Sequence, residues 1–508
     1  MRVRSLQALA LLTLCLWPAS SAVPATAAAA AIPAAARPNI VLILTDDQDL
    51  ASLSVMPKTQ ALIGAPGLTF GNYIVPLSLC CPARSSIFTG EYAHNHDVRT
   101  NNWPAGGFHK FFTLGREDET VAVALHRAGY RTALFGKYLN GYPDAKDPTH
   151  VPPGWDEWAS PAAGDAYGQF HYTLNENGRL VPYGGAAADY MTDVLAAKGV
   201  EFIRRAGGGA QPFFLALTVY SPHKPATPAP RHAKLFRGAK VPRTPAFDEV
   251  DVSDKPVRIR RLADLKSGQI ASIDALYRRR LQALRAVDDL VEGVVAALRA
   301  SGQLDRTYLF FTSDNGFHLG QHRLQPGKKT PYEEDIHVPL LVRGPGVPAG
   351  ARSDALAVNV DLAPTFAELA GATLVAPADG RSLVPFLATG QSASPWRRMV
   401  LLEQFPDEPS GNAGGVLEPP DPGDASGPVP THVGLRTASY TYVEYGTGER
   451  ELYDLRRDPY EVESLHARAD PQLLARLSDL LHALATCAGD GCRELEAKTP
   501  PPLSALRR

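Results

Sequence analysis

The chain has 508 residues, 44% of them hydrophobic and 20% charged. This is ordinary globular composition, long enough for a large core and two domains; five cysteines are too few for a disulfide framework. With 51 Lys and Arg against 53 Asp and Glu, the formal net charge is -2, which argues against a nucleic-acid footprint or an electrostatic membrane anchor. An anionic substrate would therefore have to meet local positive charge, from a metal or a few placed Lys and Arg.

The N-terminus reads as a processing segment. Arg2 and Arg4 precede an apolar run over residues 6–17, and small residues follow at Ser20, Ser21 and Ala22. This is the order of a secretory signal peptide, predicted over residues 1–22. The run is shorter than the roughly 20 apolar residues that span a bilayer, and no later stretch is long and apolar enough. An Ala- and Pro-rich leader follows at residues 23–36. The mature protein is expected to be soluble, without a stable membrane anchor, outside the cell or in the periplasm.

From residue 37 onward, short apolar runs alternate with helical patterns, the sign of a parallel sheet covered on both faces. Strands are expected at 39–45 (NIVLILT), 131–135, 213–219 and 308–312 (YLFFT). A helix is expected at 120–128 before Gly129. A longer one is expected at 276–298, where apolar positions 276, 284, 287, 291, 294 and 298 recur at helical spacing. The predicted fold class is α/β, a sandwich around a large, mostly parallel sheet, over residues 37–375.

Past residue 375 the texture changes. Residues 405–430 are rich in Pro, Gly, Asp and Ser and read as a long surface loop. Residues 431–445 alternate like an antiparallel strand, 451–455 read as another, and an amphipathic helix is expected at 471–485. Residues 376–508 therefore predict a smaller C-terminal α+β domain with an antiparallel sheet.

The strand at 39–45 runs into Asp46 and Asp47, and the strand at 308–312 runs through Ser313 into Asp314 and Asn315. Either pair alone would serve equally as a turn or helix cap. In a parallel sheet, however, ligands gather at the carboxyl ends of strands. If these two strands are neighbours, three carboxylates and an amide converge, and they would repel one another without a cation between them. All-oxygen ligation selects a hard ion, Ca²⁺ or Mg²⁺, over zinc. Spacing does not choose between the two.

The cysteines divide by neighbourhood. Cys487 and Cys492 enclose Ala488, Gly489, Asp490 and Gly491 and predict a local disulfide, whereas Cys80 and Cys81 are adjacent, where a mutual bridge is strained. In Cys80-Cys81-Pro82-Ala83-Arg84, Pro82 suits the first turn of a helix. Cys80 is then expected just outside a helix N-terminus, whose N–H groups and dipole favour anions. The same setting would activate a thiolate, so thiol and aldehyde chemistry both stay open. Lys137, Lys328 and His223 follow strands and could reach an anion; taken singly, such residues are most often solvated.

Eight stretches in order resemble the motifs of the sulfatase family, over most of residues 38–466: TDDQ at 45–48, CCPARSSIFTG at 80–90, GKYLN at 136–140, SPH at 221–223, SDNG at 313–316, GKKTPYE at 327–333, DLAPT at 361–365 and ELYDL at 451–455. The resemblance implies an alkaline-phosphatase-like fold and hydrolysis of sulfate esters. It implies that a formylglycine-generating enzyme converts Cys80 to formylglycine (3-oxoalanine), whose hydrate attacks sulfur. It also implies one Ca²⁺ held by Asp46, Asp47, Asp314, Asn315 and the group at Cys80. Arg84 would orient the hydrate, Lys137 and Lys328 would clamp sulfate oxygens, and His223 would protonate the leaving oxygen. Lys328 is preferred over Lys329 by its spacing to Tyr332. His94, His96 and Asn102 are further candidates for the pocket.

One departure stands out. Many family members carry a histidine where this chain has Leu139, followed here by Asn140. The hydrate's usual partner is then missing, or supplied by Asn140 or another residue. The GKYLN form, the CCP signature and PYEEDIHVP at 331–339 are more similar to glucosamine-6-sulfatases and extracellular heparan sulfatases, which points to sugar sulfates, including glycosaminoglycans. The competing readings are a broad arylsulfatase, a phosphodiesterase or phosphonate hydrolase on the same fold, a silent binding protein for sulfated glycans, and a cysteine hydrolase. The second metal-ligand set common in the phosphate enzymes is not evident here, and a cysteine hydrolase would leave the acidic clusters without a purpose.

Overall fold

The computed structural model describes residues 37–392, 395–406, 415–416, 418–419 and 428–503. The predicted signal peptide and leader, and most of the predicted loop at 405–430, lie outside the described residues.

A ten-stranded mixed sheet organises the molecule. Its strands are β1 (Asn39–Thr45), β2 (Leu68–Ile74), β3 (Arg131–Gly136), β4 (Glu157–Gly164), β5 (Tyr172–Glu176), β6 (Arg179–Pro182), β7 (Phe213–Thr218), β8 (Thr307–Ser313), β9 (Leu340–Arg343) and β10 (Ala351–Val358). They lie in the order β10-β2-β9-β8-β1-β7-β3-β4-β5-β6. The central run β8-β1-β7-β3-β4 is parallel throughout, while β9 pairs antiparallel with both β2 and β8.

The continuous apolar run of β1 has a direct cause. Successive side chains of a strand point to opposite faces, and both faces are covered. Ile40, Leu42 and Leu44 pack with Ile87, Phe88, Leu125 and Phe366 on one side. Val41 and Ile43 pack with Leu195, Phe202, Val287 and Val291 on the other. Each such fully buried aliphatic side chain contributes about 1.5–3 kcal/mol.

A second, four-stranded antiparallel sheet has the order β11-β12-β13-β14, with β11 Met399–Gln404, β12 His432–Thr437, β13 Tyr440–Tyr445 and β14 Arg450–Asp454. The single strand expected at 431–445 is a hairpin, because Ala438 and Ser439 turn the chain back. The helix Pro471–Leu484 covers this sheet: Asp470 caps its N-terminus, Pro471 opens its first turn, and Leu473, Leu477, Leu481 and Leu484 line its buried face. Cys487 and Cys492 form the expected disulfide, while Cys80 and Cys81 are free and buried.

The long helix is Ser267–Ala300, beginning nine residues before the expected 276. Its first two turns bury little, so they left no apolar signal. Among the described residues, no helix is long and apolar enough to cross a membrane.

Candidate active site

Four neighbouring strands deliver their carboxyl ends to one place. β1 and β8 are hydrogen-bonded neighbours with Thr45 opposite Ser313, so Asp46, Asp47, Asp314 and Asn315 emerge side by side. β7 and β3 lie next to β1, and the backbone N–H of Lys137 donates to Thr218 O at 2.7 Å. His223 follows β7 by five residues, and Asp46 N donates to Ser221 O at 3.3 Å. Asp47 has a left-handed backbone, φ 64°, uncommon for a residue other than glycine.

The helix Cys80–Thr89 points its N-terminus at these strand ends. Cys80 is its first residue and Pro82 its third, so the cysteine lies inside the first turn rather than just outside it. Cys80 Sγ donates to Asp46 Oδ1 at 3.2 Å and accepts from Lys328 Nζ at 3.0 Å. Lys137 Nζ is 2.7 Å from Asp46 Oδ2, and Lys328 Nζ is 2.9 Å from Asp47 Oδ1. Arg84, one turn along the helix, donates to Asp314 Oδ2 and to Lys137 O, both at 2.8 Å. His223 Nδ1 faces Lys224 O at 2.7 Å; a carbonyl only accepts, so this nitrogen carries a proton and Nε2 is left for the site. All of these side chains are buried.

The charges tune one another. Burial alone would raise Asp46, but Lys137 foremost, then His223, Arg84 and Lys328, hold its carboxyl below the usual range. Burial, followed by the charge of Asp46, pushes Asp314 up to about 6 against Arg84 and Lys137. Burial works against a charged His223, yet Asp47 and Asp46 raise it above its ordinary value. Burial and the charge of Asp46 push the Cys80 thiol well up, beyond what Lys137 and Lys328 offset. That direction is opposite to the one a thiolate nucleophile needs.

Asp46, Asp47, Cys80 and His223 each bring one ligand atom within 4.8 Å of the others. Asp47 Oδ2 and Asn315 Oδ1 are buried acceptors without a hydrogen-bond partner, a cost that a bound cation would relieve. Asp314 stands slightly apart: Oδ1 accepts from the backbone of Asp47 and Asn315 at 3.0 and 2.8 Å, and Oδ2 is taken by Arg84.

The profile of the sulfatase family matches residues 38–372. The chain belongs to the sulfatase family. It is 38% identical to the N-acetylglucosamine-6-sulfatase of Homo sapiens over 484 residues, covering 90% of this chain and 86% of that one. It is 39% identical over 376 residues to the extracellular sulfatase SULF-1 homologue of Drosophila melanogaster, covering 73% of this chain and 32% of the relative. Among solved structures, one described as BT4656 in complex with its substrate D-glucosamine-2-N,6-O-disulfate superposes with a TM-score of 0.71 at 24% identity, over 88% of this chain and 97% of the other. The fold is the alkaline-phosphatase-like sandwich, and the sulfatase is a hydrolase of sulfate esters.

Cys80, Arg84, Lys137, His223 and Lys328 come together in the sulfatase with Asp46, Asp47, Asp314 and Asn315. Lys328, not Lys329, enters the site; Lys329 N donates to Ser78 Oγ at 3.1 Å. The further pocket candidates lie elsewhere. His94 faces Glu403 and Cys487 O, and His96 faces Ser86. Asn102 is exposed, while its neighbour Asn101 is buried at the site. Leu139 packs in the core, so the sheet-end turn presents Asn140 instead.

Sequence reasoning missed three groups. Glu418 reaches His223 Nε2 and Lys328 Nζ, each at 2.8 Å; it belongs to the stretch read as surface loop, and only the place of Val416 in the core could have hinted otherwise. Tyr167 sits 5.2 Å from Lys137 Nζ across its ring. Arg280, on the long helix, donates to the backbone oxygens of Asp47 and Pro222 and stacks 4.5 Å over Phe317. It ties the turns that carry Asp47 and His223 to one rigid element.

Proposed function

We propose that this chain is an exported, calcium-dependent sulfatase that acts on sugar sulfates of the N-acetylglucosamine-6-sulfate type, through a formylglycine made from Cys80. The observation that carries this reading is the setting of Cys80: at the first turn of a buried helix, its sulfur lies 3.2 Å from Asp46 and 3.0 Å from Lys328. A thiol with a raised pKa is a poor nucleophile there. The same position suits an oxygen nucleophile held between a cation and a lysine.

Asp46, Asp47, Asp314, Asn315 and the group at position 80 would hold calcium; Asn315 Oδ1 and Asp47 Oδ2, buried acceptors that receive no hydrogen bond, support this, although Asp47 Oδ2 also faces His223 Nε2 at 3.4 Å. When bound, calcium supplies positive charge at the reacting oxygens, and formylglycine supplies the attacking hydroxyl as its hydrate. Arg84 Nη2, buried and without a hydrogen-bond partner, is available to orient that hydroxyl. Lys137 and Lys328 neutralise the non-bridging sulfate oxygens as charge builds on them. His223, held by Lys224 O through Nδ1 and with a raised pKa, keeps a proton on Nε2 for the leaving sugar oxygen.

Export by the predicted signal peptide at 1–22 and maturation by a formylglycine-generating enzyme complete the reading, with the catalytic domain at 37–375 and the smaller domain at 376–508. The sugar assignment is supported by the likeness to the human enzyme over 90% of the chain. Mass spectrometry of the peptide containing residue 80, from exported protein, should show loss of the thiol and gain of an aldehyde; an intact cysteine in active protein would sink the mechanism. A panel of sulfated sugars set against a chromogenic aryl sulfate should favour the 6-sulfated glucosamines.

A further inference from the structure

The Glu418 carboxylate is held by four donors. Oε1 accepts from Lys328 Nζ and His223 Nε2, each at 2.8 Å. Oε2 accepts from Asn140 Nδ2 at 2.7 Å and from Asn101 Nδ2. Lys328 and His223 are the groups that the proposed reaction assigns to the sulfate and its leaving oxygen. The carboxylate therefore sits where an anionic substrate group belongs, and the two amides complete the wall around it.

Both amides are set for this task. Asn101 Oδ1 accepts from Cys81 N at 2.8 Å, which fixes the amide so that Nδ2 faces the anion. Asn140 is 3% exposed, directly after the Lys137 turn, and its Oδ1 has no hydrogen-bond partner. An amide N–H buried this deeply is costly without an acceptor. The position of Glu418 is also anchored: Val416 N donates to Tyr142 O at 3.2 Å and Val416 O accepts from Gly141 N at 3.4 Å.

We propose that Asn101 and Asn140 bind the sulfate group of the substrate, forming with Lys328 and His223 a four-donor anion cradle for which the Glu418 carboxylate competes. This rests on the sulfatase reading of the site. A sulfate monoester carries one negative charge, as Glu418 does, and offers three non-bridging oxygens where the carboxylate offers two. The two anions cannot share the cradle without strong repulsion. Lys328 Nζ also reaches Cys80 Sγ and Asp47 Oδ1, so the cradle opens directly onto the group at position 80.

Calorimetric titration of inorganic sulfate into the calcium-loaded full chain tests this. Asn140→Ala and Asn101→Ala should each bind sulfate about tenfold more weakly than the wild type, the loss of one charge-assisted hydrogen bond. Glu418→Gln should bind it about tenfold more tightly, because a competing charge is gone. Asn101→Ala also loses the bond to Cys81 N, so Asn140→Ala and Glu418→Gln decide the matter if that variant does not fold. Unchanged affinity in Asn140→Ala, equal or weaker binding in Glu418→Gln, or no sulfate binding by any of the proteins overturns the proposal. Aryl sulfate hydrolysis and the mass of the residue-80 peptide, measured on the same wild-type preparation, separate the two ideas. Normal hydrolysis with indifferent sulfate binding defeats the cradle alone. Absent aldehyde and absent hydrolysis, with the expected binding pattern, defeat the proposed chemistry and leave the cradle standing.

Discussion

Arg84 and Asp314 form an ion pair, Nε to Oδ2 2.8 Å, in which neither side chain is exposed to solvent. The pair joins the helix that carries Cys80 to the end of β8, and the other oxygen of Asp314 fixes the backbone of Asp47. Removing one partner of a buried pair strands the other charge, at a cost of roughly 3–5 kcal/mol. Arg84→Ala should lower the free energy of unfolding by about that amount in urea denaturation. A loss below about 1 kcal/mol would mean that the pair is compensated elsewhere.

Calcium should stabilise the folded chain through Asp47 and Asn315. Their buried oxygens, which receive no hydrogen bond, are satisfied when a cation binds, and binding to the folded state alone adds about 2.7 kcal/mol at a hundredfold excess over Kd. Chelation should lower Tm, calcium should restore it, and Asp47→Asn should shrink the difference. Identical melting curves with and without chelator would remove the metal from this site.

Gly136 sets the position of Lys137. Its φ is 125°, and a Cβ there would fall 1.9 Å from Thr218 O, on the neighbouring strand β7. Gly136→Ala must push β3 away from β7 at the point where Lys137 N donates to that oxygen. A displacement of about 1 Å costs on the order of a hundredfold in rate. The measurement is kcat on an aryl sulfate, with circular dichroism to establish that the variant is folded.

His96 should make the protein acid-sensitive. Burial foremost, then the charge of Arg116, holds its pKa down to about 3 from an ordinary value of 6.5. Its ring stays neutral, with Nδ1 accepting from Val98 N at 3.1 Å. As pH falls below 6.5 the unfolded chain takes up a proton that the folded chain refuses, until about 3. Stability that is complete above the unfolded value is therefore lost on acidification, by up to about 1.4 kcal/mol per pH unit. Urea denaturation at pH 7 and pH 5 should show a shallower loss for His96→Gln than for the wild type; equal losses would place the acid sensitivity elsewhere.

Much of the sheet and of the site was legible in local patterns. β1, β3, β7 and β8 announce themselves because strands buried on both faces must be apolar at every position. The acidic pairs at 46–47 and 314–315 stand out because charge directly after such a strand lies at the sheet's carboxyl edge. β2, β9 and β10 left weaker marks, since they are partly exposed or only four residues long. His94 and His96 looked available from their place after the signature, but the short helix Ala93–His96 turns both away from the strand ends.

The sequence by itself determined the central strands and the chemical groups: apolar strands that must be buried, acids and lysines after their ends, and a cysteine in a helix-starting motif. These are local properties, carried by residues a few positions apart. Only the tertiary structure decided which groups share space. Cys80 meets Lys328 across 248 positions and His223 meets Glu418 across 195, because strand order and loop return fix such contacts and no spacing rule encodes them. It also chose Asn101 over Asn102 and turned Leu139 into the core. Neighbouring side chains in a turn point in different directions, and only packing decides which of them meets the core or the site.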